Sequence, residues 1–135
     1  SRIMSYLKCS HFVQAKRMHL KDLEVLNLLP ASLTKCLHVE LHLPHLSRMP
    51  MLHHLATLSE PAMSELSNHA TNDVSYLIGE HMFTEETEAK SMYFLVAGRA
   101  WYDHDEREHQ ALLKDGSWAC EPVLWIPWWH CATLK

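Results

Sequence analysis

Met92-Tyr93-Phe94-Leu95-Val96, closed by Gly98 and followed by Ala100-Trp101-Tyr102, is the stretch whose reading decides the class of fold. Five consecutive apolar and aromatic residues with a glycine behind them have the length and composition of a short strand, because such side chains fit a pleated, half-buried surface. The chain resumes as a strand at Ala100-Trp101-Tyr102, the charged run Asp103 to Glu108 supplies a hairpin tip, and Ala111 to Leu113 returns. Asp115-Gly116 is a turn signal. Beyond it, Trp118, Trp125, Trp128 and Trp129 offer bulky core side chains for further short strands. Before it, the pattern predicts a strand over Val74 to Ile78, a turn at Gly79-Glu80 and a strand at Met82-Phe83.

Upstream the period of the apolar residues is helical. From Arg2 to about Ser67, Pro30, Pro44, Pro50 and Pro61 cut the region into pieces, which predicts four or five helices of about 8–15 residues. Leu33, Leu37 and Leu41 line one face of a helix that begins after Pro30, takes Ser32 as its N-cap and ends near Pro44. A further helix follows Ser59, the capping residue two places before Pro61, with Met63, Leu66 and Ala70 on one face. Helices first and short strands afterwards predict an α+β fold whose β part is a barrel or sandwich.

The bulk numbers bound the function. A chain of 135 residues holds one domain, or a small domain with a helical appendage. With 47% hydrophobic and 21% charged residues it has the composition of a folded globular protein. A net charge of −4, a pI near 6.3 and scattered basic residues give no footprint for a phosphate backbone, so nucleic acid is not an expected partner. No apolar run reaches the ~20 residues that span a bilayer. The beginning at Ser1 and the end at Cys131-Ala132-Thr133-Leu134-Lys135 are read as those of a fragment that is itself soluble. Cys9, Cys36, Cys120 and Cys131 lack C-x-x-C spacing and are expected to be reduced, buried thiols of a cytosolic protein.

The series Gly79-Glu80, Met82-Phe83, Met92-Tyr93-Phe94-Leu95-Val96, Gly98, Gly116, Glu121 and Ala132-Thr133 resembles the cyclic-nucleotide-binding domain family in order and interval. The family pattern runs G-E-x-hydrophobic-F, M-Y-F-I-x-x-G, G-D-x-F-G-E and R-x-A-T-V. Leu29-Pro30-Ala31-Ser32-Leu33 and Met49-Pro50-Met51-Leu52 look like the linker that precedes this domain in voltage-gated and cyclic-nucleotide-gated cation channels. The resemblance implies a helical linker over residues 1–50 and a truncated cyclic-nucleotide-binding-type domain over residues 51–135. Within the latter it implies a helix or two to about residue 72 and an antiparallel β-roll of jelly-roll type from about residue 73, its closing C-terminal helices missing.

In that family a loop and short helix offer backbone N–H groups and an arginine to the cyclic phosphate, while a glutamate accepts a ribose hydroxyl. The corresponding positions here are Gly116, Cys120, Glu121, His130 and Cys131. Glu121 keeps the glutamate, but Cys120 stands where the family has glycine, Ala119 where it has an aromatic residue, Ser117 where it has aspartate and His130 where it has arginine. Glu86-Thr87 replaces its glycine-aspartate turn. Loss of a bidentate guanidinium costs about 1.5–3 kcal/mol, so cyclic AMP or cyclic GMP would be held at least about tenfold more weakly. Protonation of His130 below about pH 6.5 would restore part of the attraction. Trp125, Trp128 and Trp129 are expected to fill the purine space, and Pro122 to remove a backbone donor. The expectation is therefore a degenerate pocket with no resident cofactor.

Other chemistries fit less well. His53-His54, His104 with His109, and His130-Cys131 have no convincing metal-ligand spacing. A thiol activated by His130 is disfavoured because neighbours on a strand point to opposite faces. Glu85, Glu86 and Glu88 are read as a solvated acidic loop rather than catalytic carboxylates, and no enzymatic role is expected. Leu26, Leu28 and Leu29 are candidates for contacts between subunits. By resemblance the parent is a homo- or hetero-tetrameric cation channel of the membrane, selective for potassium, with this region on its cytoplasmic face. The alternative is a soluble cyclic-nucleotide sensor such as a kinase regulatory subunit.

Overall fold

The computed structural model describes residues 28–103 and 111–135. The helices expected before residue 28, together with Cys9, Leu26, the hairpin tip, His104 and His109, lie outside the described residues. Three helices, α1 (Ala31–Leu46), α2 (Pro50–Leu58) and α3 (Glu60–Glu65), precede five short strands: β1 (Tyr93–Phe94), β2 (Arg99–Asp103), β3 (Ala111–Lys114), β4 (Trp118–Ala119) and β5 (Thr133–Leu134). All strand pairings are antiparallel. The fold is α+β, and among the described residues the strands form one two-stranded and one three-stranded sheet rather than a closed barrel. No helix among them is long and apolar enough to cross a membrane.

α1 begins after Pro30 and ends near Pro44 as expected, but its start is built differently. Ser32 does not cap it. The Pro30 carbonyl starts the helix by accepting from the backbone N–H groups of Leu33 and Thr34 at 3.0 and 3.1 Å. Pro44 lies inside the helix, which ends two residues later at Leu46. The missing N–H of Pro44 removes the helical donor to the carbonyl of Glu40, an exposed residue. The buried side is not Leu33-Leu37-Leu41, of which Leu33 and Leu41 are exposed, but His42 and Leu46. His42 is accommodated because its Nδ1 hydrogen-bonds the Ser67 carbonyl at 3.0 Å and its Nε2 lies 3.8 Å from Asp73.

α2 begins with Pro50 in its first turn, where a missing N–H costs nothing. It ends at Ser59, whose extended backbone redirects the chain and whose Oγ accepts the N–H of Ala62, capping α3 as the sequence suggests. α3 widens into a π-helical turn, Leu66–Ala70. That turn shifts the register, so Met63 and Ser67 are buried while Ala70 is exposed.

The strand expected over Val74 to Ile78 is absent. Val74, Leu77 and Ile78 are exposed in irregular chain whose backbone is held locally, with Leu77 N–H donating to the Glu80 carboxylate at 2.8 Å. The Gly79-Glu80 turn forms, with Gly79 at φ +82°. From there the chain enters a long nested ladder. Phe83 bridges Leu134, Glu88 bridges Trp129, Tyr93 and Phe94 pair with Ala119 and Trp118, and Leu95 N–H donates to the Ser117 carbonyl at 2.9 Å. Residues 82–95 thus run antiparallel to residues 117–134 as one interrupted ribbon. Inside it lies the β2–β3 hairpin, and β2 also pairs with β5, so the ribbon curls until its end meets its middle. The Lys135 ammonium and the Asp103 carboxylate pair where they meet.

The two residues of each β1–β4 strand face opposite ways, and this divides the interior. Phe94 and Trp118 join Met92 against Leu46, Met49, Leu52 and Met63 of the helical region. Tyr93 and Ala119 face a second core made by Phe83, Ala100, Ala119 and Leu134. The first core therefore includes residues on both sides of position 50.

The remaining tryptophans do not behave as core. Trp125 and Trp129 are each 60% exposed, and Trp101 is also exposed. Trp125 follows the 3-10 turn Glu121–Leu124, which carries it away from the strands, whereas Trp129 bridges Glu88 within the ladder and is exposed all the same.

Candidate functional site

His130 is the most enclosed polar side chain of the second core, only 5% exposed. The ladder fixes its backbone: its N–H donates to the Thr87 carbonyl at 2.9 Å, and its carbonyl accepts from Glu86 at 2.8 Å. The ring lies flat on Phe83, with centroids 3.8 Å apart and planes 10° from parallel. Its Nδ1 is 3.4 Å from the Cys120 sulfur.

Cys120 reaches that position through a left-handed backbone, φ +65° and ψ 29°, where β4 gives way to the 3-10 turn. The only other non-glycine residue with positive φ among the described residues is Glu86, at +61°. Such a conformation costs an ordinary residue about 1–2 kcal/mol, so it persists only where surrounding structure enforces it.

Burial decides the electrostatics. It pushes the Cys120 thiol up from 9.0 to about 11, with the nearby Cys131 adding to the rise and the Tyr102 hydroxyl partly opposing it. Burial also pushes the Tyr102 hydroxyl up from 10.0 to about 12, with Cys120 contributing. Tyr93 is raised by burial and by Tyr76. Burial lowers the pKa of His130. Thiol and imidazole meet across the turn although Cys120 and His130 are not neighbours on one strand. Desolvation nevertheless opposes both thiolate and imidazolium, so the pair is neutral and poorly suited to nucleophilic attack. The lowered pKa also corrects the expectation that His130 gains charge just below pH 6.5.

The expected pocket residues separate. Cys120 and His130 touch, while Cys131 is exposed, its thiol directed to the Trp129 carbonyl at 3.5 Å. Cys36 is exposed as well, so two of the expected buried thiols lie at the surface. Glu121 is engaged inside its own turn, its Oε2 accepting the Trp118 indole N–H at 3.0 Å. Gly116, at φ +90°, lies under the Arg48 guanidinium at the end of α1. Trp125 and Trp129 are exposed, and Trp128 is half-buried.

Two open grooves flank the segment. One, of about 400 Å³, is lined by Glu85, Glu86, Trp129, His130 and Cys131, and the other, of about 280 Å³, by Glu121, Pro122, Trp125 and Ile126. Sequence reasoning missed the parts played by Phe83, Tyr102 and Glu86, since nothing local ties them to Cys120 or His130. Among the described residues no three His, Cys, Asp or Glu side chains gather as a metal site requires. Set beside known proteins, the chain matches no family model and no curated protein.

Proposed function

We propose that this chain is a gating region of a cation channel, in which residues 1–50 form the linker and residues 51–135 a cyclic-nucleotide-binding-type roll that packs without nucleotide. One observation carries the family reading. Glu86 and Cys120, the two non-glycine residues with left-handed backbone among the described residues, occupy two positions where the resembling family has glycine. The nested ladder that curls onto β2 supports a roll of the jelly-roll type, and the shared core of helices and β1–β4 supports mechanical coupling between linker and roll.

The ligand-free reading rests on the environment of His130. A cyclic phosphate approaching it meets a neutral, stacked imidazole and the carboxylates of Glu85 and Glu86 at the groove rim. Like charge and the missing guanidinium both oppose binding. In the parent, a tetrameric potassium-selective channel anchored in the membrane, the roll biases the arrangement of the linker, and a ligand acts only through differential affinity for two states.

Titration of cyclic AMP and cyclic GMP against the chain and against His130→Arg tests the site. No saturable binding to the unmodified chain is expected, and saturable binding would make it a nucleotide sensor. Deletion of residues 74–135 from the parent is expected to shift voltage dependence or assembly, and unchanged currents would remove the gating role.

A further inference from the structure

Leu124, Trp125, Ile126 and Trp129 are 45, 60, 53 and 60% exposed and all fall within residues 124–129, a concentration of apolar surface that an unaccompanied domain rarely presents. The two grooves beside these residues are lined by Glu85, Glu86 and Glu121 and by no Lys or Arg. Residues 82–89 and 128–134 face each other in the ladder, where Met82, Glu86 and Ala89 donate to Leu134, His130 and Trp128. Each groove beside the turn combines tryptophan with carboxylate: Trp129 with Glu86, and Trp125 with Glu121. A face of this kind suits an occupant that is apolar and positively charged, since indole faces and carboxylates both attract cations.

The chain itself contains such a segment. Residues 1–21 hold five of the 12 Lys and Arg residues and none of the 16 Asp and Glu, so that residues 22–135 carry every acid of the protein. Arg2, Lys8, Lys16, Arg17 and Lys21 are interspersed with apolar side chains that include Leu7, Phe12 and Val13. We propose that residues 2–21 of this chain dock on the face formed by Leu124–Trp129 and its flanking glutamates, covering the exposed tryptophans. The docking does not depend on the channel assignment.

Carbodiimide cross-linking of the whole chain, mapped by mass spectrometry, tests it. Lys8, Lys16 and Lys21 are expected to join Glu86 and Glu121 in preference to the exposed Glu60 and Glu65 of α3. Raising salt from ~0.05 to ~0.5 M should lower that yield about threefold or more, because exposed charges are screened. Arg2→Glu with Arg17→Glu leaves every described residue and all three reporter lysines unchanged, and should lower the yield about tenfold, as should Trp125→Ser with Ile126→Ser. Links spread evenly over Glu60, Glu65, Glu86 and Glu121, or a yield indifferent to the Arg→Glu changes, would overturn the proposal. Links found only between copies, in a mixture labelled with heavy and ordinary nitrogen, would also overturn it and assign the face to a second molecule.

Discussion

Cys120 and His130 resist charge from opposite directions, which gives the protein two pH limits. The folded Cys120 thiol titrates at about 11 rather than 9.0, so the folded state keeps a proton that the unfolded chain releases. Its contribution is complete below pH 9.0 and is lost as pH rises towards about 11, while Tyr102 adds a loss of the same sign from 10.0 to about 12. His130 is lowered below 6.5, so the unfolded chain takes up the proton first, and stability present above 6.5 falls as pH drops through the lower folded value. Thermal melting should therefore plateau between about pH 6.5 and 9, with Cys120→Ser flattening the alkaline limb and His130→Gln the acid one. Limbs unaltered in these variants would mean that other groups set the limits. Backbone strain gives a separate test at the exposed Glu86, φ +61°. Glu86→Gly should stabilise by about 0.5–1 kcal/mol and Glu86→Val should destabilise by about as much, measured by chemical denaturation.

At the scale of elements, the junctions are more sharply specified than the strands they join. Ser59 ends α2 and caps α3, and Ser59→Ala should cost about 1 kcal/mol because the Ala62 N–H loses its acceptor. Gly116 joins β3 to β4 at φ +90°, and a Cβ there would stand 2.5 Å from the Arg48 Nη1. Gly116→Ala should destabilise by about 1–2 kcal/mol from the backbone alone, and adding Arg48→Ala should recover only the steric part. Full recovery in the double variant would show that the left-handed turn is not needed. These residues are legible in sequence, since Ser before Pro and Asp before Gly name their own geometry. The β1 and β4 strands are each only two residues long, and their limits were not legible because they depend on the ladder rather than on the run of apolar residues.

Across the whole molecule, Met49 and Met63 tie the helices to the strands through Met92, Phe94 and Trp118. Met49→Ala should cost about 2–5 kcal/mol and lower the melting of helix and sheet together. Far-ultraviolet dichroism and tryptophan emission should then report one transition, whereas helical signal surviving loss of the sheet would show two independent units.

Sequence alone determined the turns at Gly79-Glu80 and Asp115-Gly116, the Ser59 cap of α3, and that strands follow helices. Each of these depends on a residue and its immediate neighbours. Tertiary structure decided that His42 rather than Leu41 is buried, that His130 stacks on Phe83 beside Cys120, and that Trp125 and Trp129 face outward. Burial is a competition among surfaces far apart in sequence: Trp129 bridges Glu88 in the ladder and is still 60% exposed. Hydrophobicity made those indoles candidates for the core, but the path of the backbone determined which side chains reached it.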